Sequence, residues 1–274
     1  MFRNPGNDSG RCGEIKDFKM VRPKKHLGQH FLRDENIARK IIGCLSGEVV
    51  NIVEVGPGTG ILSKYLLENP ALNPFFFEID SEAVMYLHQQ YPGISGKLME
   101  KDFLKADLLI IPAPFAVIGN FPYNISSQIL FRILEYRNSV PEVIGMFQKE
   151  VAERIASPPG SKKYGILSVL LKAWFDIEYL FTVNESVFYP PPKVKSAVIR
   201  LLRNPVKKLD CNEELFLLTV KTAFNQRRKT LRNALKGMIP AGTTPLPGIQ
   251  ALLDKRAEQL SVAEFVELAR YVEG

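Results

Sequence analysis

The sequence predicts an α/β fold: a doubly wound, mostly parallel sheet, followed by a small all-helical domain. Three observations predict it. Strand-length apolar runs alternate with helix-period segments between Asn51 and Phe147. The glycine turn Gly56-Pro57-Gly58-Thr59-Gly60 directly follows the first of those strands. Past Asn204-Pro205 the strand pattern stops and only helical periodicity remains.

Met1 to Lys19 is polar, without a secretory apolar stretch, so residues 1–20 read as a disordered arm. Ile37, Ile41, Ile42 and Leu45 then fall at helical spacing, with Asp34 as the N-cap. Asn51 to Val55 is a buried strand and Thr59 to Leu67 a helix starting at the glycines. Pro74 to Ile79 is a second strand, and Ser81 caps the next helix. Lys97 to Lys101, Phe115 to Gly119 and Val143 to Phe147 complete the alternating strands, with a helix over Ser126 to Tyr136. Ser157 to Lys163 is a loop. Ala173 to Val183 and Ala197 to Leu202 are late strands, and Pro190-Pro191-Pro192 cannot lie inside a sheet. Glu213 to Met238 and Lys255 to Val272 read as helices. The domain expectation is 21–205 for the sheet domain and 206–274 for the helical one.

Of the 274 residues, 46% are hydrophobic, enough for a full core and against disorder as the default. The net charge of +7 favours a polyanionic partner, nucleic acid before an acidic membrane, although solubility alone is its plainer meaning. Cys12, Cys44 and Cys211 stand far apart, and His26, His30 and His88 form no cluster, so no metal is expected. No apolar run reaches the roughly 18 residues that span a bilayer. The longest, Leu108 to Gly119, is broken by Pro112 and Pro114. A cytoplasmic monomer is the resulting expectation.

Site chemistry gathers where strands end. The glycine turn fits NAD, FAD, S-adenosylmethionine or a plain tight turn, but its short Gly-x-Gly-x-Gly spacing departs from the dinucleotide fingerprint. Glu78, at the tip of the next strand, can accept ribose hydroxyls, or be a plain surface carboxylate. Asp102 follows the third strand and can accept from an adenine amino group, or cap a turn.

Asn120-Phe121-Pro122-Tyr123 carries the most information. An exocyclic aromatic amine is a poor nucleophile because its lone pair is delocalised. The Asn120 side-chain oxygen and the Pro122 carbonyl can hold its two hydrogens and aim the lone pair at a methyl donor. Tyr123 offers a face for a flipped base. A turn between strand and helix is the plainer alternative. Phe188, in Phe188-Tyr189-Pro190-Pro191-Pro192, is a second aromatic, for a base or for the core. Lys221, Arg227, Arg228, Lys229, Arg232 and Lys236 lie in a stretch without acidic residues, which favours phosphate contact over a solvated face. Arg22, Lys24 and Lys25 make a second basic patch.

Taken together, these elements resemble the ribosomal RNA small-subunit adenine dimethyltransferases of the KsgA type. The resemblance rests on His26 to Leu32, Glu54 to Gly60, Phe77 to Asp80, Asp102, Gly119 to Asn124, Tyr164-Gly165, Phe188 to Val194 with Ser196, and Phe224 to Asn233. It runs from about Arg22 to Tyr271. It implies a Rossmann-like S-adenosylmethionine-dependent methyltransferase domain with an RNA-binding helical C-terminal domain. His30 and Leu32 would close over S-adenosylmethionine, with Gly56, Glu78, Asp102 and Asn120 completing its site. Tyr123 and Phe188 would sandwich the adenine. The implied substrate is a pair of adjacent adenosines in the 3′-terminal hairpin of small-subunit rRNA, dimethylated within a pre-assembled subunit. The family most often has Asn where His30 stands, and often Asp where Lys195 stands.

Three other readings compete. A large-subunit rRNA methylase of the macrolide-resistance type shares the glycine and Asn-Leu-Pro-Tyr elements, but Phe224 to Asn233 favours the small subunit. A DNA adenine methylase lacks support from any base-reading module. A non-catalytic RNA-binding assembly factor is disfavoured by the complete Asn120–Tyr123 element.

Overall fold

The computed structural model describes residues 21–240, 242 and 244–274, so the arm expected over residues 1–20 lies outside it. Among the described residues the first strand and first α-helix are β1 (Phe31–Leu32) and α1 (Glu35–Ile42). The Asp34 side chain caps α1, accepting from the Asn36 and Ile37 N–H groups at 2.8 and 3.0 Å. Then come β2 (Asn51–Val55), α2 (Ile61–Glu68), β3 (Asn73–Glu78), α3 (Ser81–Gln90), β4 (Leu98–Glu100), β5 (Phe115–Asn120), α4 (Ser126–Glu135) and β6 (Glu142–Gln148). Next are α5 (Lys149–Ala156), α6 (Ile166–Lys172), β7 (Phe175–Val183), β8 (Phe188–Tyr189) and β9 (Ser196–Arg203). The remainder is helical: α7 (Glu213–Asn225), α8 (Leu231–Ala234), α9 (Pro247–Leu253) and α10 (Val262–Glu273).

Seven strands form one sheet in the order β4-β3-β2-β5-β6-β9-β7. Strands β4 to β6 run parallel; β9 is antiparallel to both neighbours. Alternate residues enter two apolar layers. Val53, Phe77, Val117 and Val143 face one, with α4, α5 and α6. Ile52, Phe76, Ala116 and Ile144 face the other, with α1, α2 and α3. Both faces are buried, which is why these strands read as continuous apolar runs. After β4 the chain crosses back to lay β5 beside β2. The order reverses there, and a crevice opens at the carboxyl ends of those two strands.

Several expectations change. Asp80, not Ser81, caps α3; its side chain accepts from the Glu82 N–H. The helix expected over Glu213 to Met238 breaks after Asn225 and resumes at Leu231. Leu231 is buried in the core, and its N–H donates to the Lys255 carbonyl at 2.8 Å, a bond outside the helix. The helix expected from Lys255 starts only at Val262. Ser261 caps it, and Glu264 reaches back to the Ser261 N–H at 2.7 Å. α5 and α6 were not expected.

Candidate active site

A cavity of about 280 Å³ occupies the crevice at the strand ends. The turn after β2 forms one wall. Gly56 and Gly58 have φ of +69° and +57°, a region that L side chains rarely adopt. A Cβ on Gly58 would also lie 2.8 Å from the Phe31 ring, so the glycine admits that ring over the turn. The segment from His26 to Phe31 also lines it.

Glu78 ends β3 and is 4% exposed. Its Oε1 accepts from the Ile79 and Asp80 N–H groups, both at 2.9 Å, and its Oε2 from Gly58 N–H at 3.0 Å. Three of about four acceptor positions are therefore taken, leaving one for a ligand hydroxyl rather than two. Burial raises the carboxyl's pKa, against the pull of the three N–H bonds. Asp102 lines the cavity, accepts from Leu104 N–H at 2.9 Å and keeps one oxygen 3.8 Å from the Lys105 ammonium.

Asn120 ends β5. Its Nδ2 donates to the His30 carbonyl at 2.7 Å. A carbonyl can only accept, so this bond fixes which end of the amide is oxygen. No described residue donates to that oxygen. The Pro122 carbonyl already accepts from Ile125 N–H at 3.1 Å and retains one lone pair. The Tyr123 hydroxyl lies 2.5 Å from Ser196 Oγ, and burial raises its pKa. The His30 ring stacks on the Tyr123 ring with centroids 5.4 Å apart, while its Nδ1 lies 2.7 Å from the Pro190 carbonyl.

Thus the cavity brings together His30, Gly56, Glu78, Asp102, Asn120, Pro122 and Tyr123. Leu32 and Phe188 do not line it. They pair across the β1–β8 ladder and point into the core, 2% and 3% exposed. Phe188, expected to sandwich the adenine with Tyr123, is not at the cavity wall; His30 is the ring against Tyr123. Sequence reading gave Ser196 no role beyond its part in the resemblance; its contact with Tyr123 joins residues 73 positions apart. Nor did it give Glu54 a role of its own. That side chain faces away from the cavity layer, is 2% exposed, accepts from Ser63 Oγ at 2.7 Å, and has its pKa pushed up by burial to about 8.

The basic stretch changes too. Carboxylates from elsewhere meet it: Arg232 donates to Asp254 at 2.8 Å, and Arg227 lies 3.7 Å from Glu258. With α7 ending at Asn225, Arg228, Arg232 and Lys236 do not share one helical face. Arg228, Lys229 and Lys236 are exposed and meet no described carboxylate. Lys24 is spent on an ion pair with buried Asp80, which also accepts from Gln29 at 3.0 Å. Arg22 and Lys25 are exposed.

The sequence model of the Ribosomal RNA adenine dimethylase family matches residues 20–273. This chain belongs to that family. Ribosomal RNA small subunit methyltransferase A of Parabacteroides distasonis is 53% identical to this family member over 91% of the chain and 94% of the relative. The protein of the same name from Cytophaga hutchinsonii is 54% identical over 93% and 98%. Among solved structures, a dimethyladenosine transferase from Plasmodium falciparum aligns with a TM-score of 0.72 at 25% identity, over 87% of this chain and 96% of that one. The 23S rRNA methyltransferase ErmE aligns at 0.60 and 25%, over 86% and 98%. As a ribosomal RNA adenine dimethylase, the chain is an rRNA adenine dimethyltransferase whose methyl donor is S-adenosylmethionine. The cavity suits that donor: Glu78 and Asp102 offer carboxylates at strand tips, Phe77 and Phe103 offer apolar walls, and the glycine turn exposes main chain. Among the described residues no metal-binding cluster occurs, and no helix is long and apolar enough to cross a membrane.

Proposed function

We propose that this enzyme dimethylates the exocyclic amines of two adjacent adenosines in the 3′-terminal hairpin of small-subunit rRNA. It acts as a monomer, in the cytoplasm, on a pre-assembled small subunit. The relatives named for the small subunit, matched over nearly their whole length, support this over a large-subunit target. The observation that carries the chemistry is the oriented Asn120 oxygen, to which no described residue donates.

S-adenosylmethionine, when bound, supplies an electrophilic methyl carbon on a positively charged sulfur. Gly56, Glu78, Asp102 and the His30 segment would hold it. Asn120 Oδ1 and the free lone pair of the Pro122 carbonyl would accept the two hydrogens of the adenine amine. That grip favours a pyramidal nitrogen, and it strengthens as the nitrogen becomes cationic in the transition state. Tyr123 would carry the base on its face. The sulfonium is an activated leaving group, so no strong base is needed. Arg228, Lys229 and Lys236 would meet RNA phosphates.

Labelled methyl transfer to immature small subunits, large-subunit RNA and duplex DNA tests this reading. Transfer to the first alone is expected. Asn120→Ala should lower kcat by about 10²–10³, the usual cost of one preorganised hydrogen-bond partner. Undiminished transfer by that variant overturns the role given to Asn120.

A further inference from the structure

The β1–β8 ladder has two faces. Leu32 and Phe188, directly opposite one another, turn into the core. Phe31 and Tyr189, the other opposed pair, share the second face. Phe31 lines the cavity, whereas Tyr189 is 41% exposed. Arg33, two residues beyond Phe31, lies on the same side, with its guanidinium 4.1 Å from the Tyr189 ring centroid. The main chain fixes this arrangement on both flanks. Arg33 N–H donates to the Val187 carbonyl at 2.8 Å, and His30 Nδ1 meets the Pro190 carbonyl at 2.7 Å. No described carboxylate pairs with Arg33.

A held, exposed aromatic ring and an uncompensated cation thus stand beside the cavity. Resting on the reading of that cavity as the adenosine site, we propose that Tyr189 and Arg33 form a second nucleotide subsite. The base flanking the target adenosine stacks on Tyr189, and Arg33 meets a phosphate of the same strand. Flipping a nucleotide strips its neighbour of a stacking partner. That neighbour then presents a bare π-face within a short reach of the cavity. Tyr supplies a matching face whatever the base, and Arg remains charged at every working pH. For a substrate of two adjacent adenosines, the waiting one would rest here while the other is in the cavity.

The test uses the full-length chain and an RNA hairpin carrying 2-aminopurine, a base quenched on stacking, beside the target adenosine. In complex with Tyr189→Leu the probe should be brighter than with the wild type, and Tyr189→Phe should restore quenching. The KM for RNA should rise about 5- to 150-fold in Tyr189→Leu, the range expected from losing one stacked base, with cofactor affinity and kcat kept. Arg33→Gln should flatten the log–log salt dependence of binding by about 0.7. Equal brightness and an unchanged KM in Tyr189→Leu, with an active wild type, overturn the subsite alone. A wild type that methylates no RNA overturns the adenosine reading and the subsite with it.

Discussion

Asn120 is oriented by a backbone oxygen ninety residues away, and other side chains of the site are set by equally distant partners. Tyr123 leans on Ser196, itself fully buried at the start of β9. Tyr123→Phe and Ser196→Ala remove the same bond, so each should slow methyl transfer while the double variant is no slower than the worse single one. Additive losses would show that the two act separately. Glu54 has a different signature. In the unfolded chain its carboxyl titrates near 4.5, and in the fold near 8. Between those values the folded protein keeps a proton that the unfolded chain has released. Its contribution is complete below about pH 4.5 and is lost as pH rises, by about 1.4 kcal/mol per unit. Glu54→Gln keeps an acceptor for Ser63 and cannot ionise. Its Tm should match the wild type near pH 4.5 and exceed it increasingly toward pH 8; a constant difference across that range rules the assignment out.

At the scale of elements, the basic segment around α8 holds cations that meet no described carboxylate beside others that are paired. Replacing Arg228, Lys229 and Lys236 by Ala should lower the salt slope of RNA binding by about 0.7–0.9 for each phosphate no longer neutralised. Arg232→Ala breaks the pair with Asp254 and should cost stability of up to about 1 kcal/mol, as exposed pairs do. Salt titrations of binding and thermal melts distinguish the two groups, and equal slopes would return all four residues to an ordinary solvated surface. That distinction was not legible in the sequence, because Asp254 and Glu258 enter from outside the stretch. The alternating strands were legible, since both faces are buried and the runs are continuously apolar. α6 was not: Ser168 to Leu171 are all buried, so no polar face marks the helix. α5 follows β6 with no intervening turn residue. In the site, the strand-end residues Gly56, Glu78, Asp102 and Asn120 were readable from their place after apolar runs. The partition of Phe188 and Tyr189 between core and surface was not, because a two-residue strand has no period to read.

Over the whole molecule, one apolar layer runs from β2 through α4 and α6 to α7 and α10. Trp174 and Phe216 meet edge to face at 6.0 Å, Arg137 pairs with Glu213 at 2.5 Å, and Gly160 N–H donates to the Glu258 carbonyl at 2.7 Å. The proposed boundary near residue 206 therefore separates elements by type without separating their cores. Calorimetry of the intact chain should show a single cooperative transition, and a fragment of residues 206–274 should not fold alone. Two resolved transitions would mean that the helical part is independent.

One tie has an effect on timing. The main-chain oxygen that turns Asn120 the right way belongs to the stretch walling the strand-end cavity. Swinging that wall outward to exchange spent donor for fresh would, in the same motion, release the carboxamide to rotate. For an enzyme that reloads for every methyl group, such an opening would disarm the site between transfers, and shutting it would rearm it.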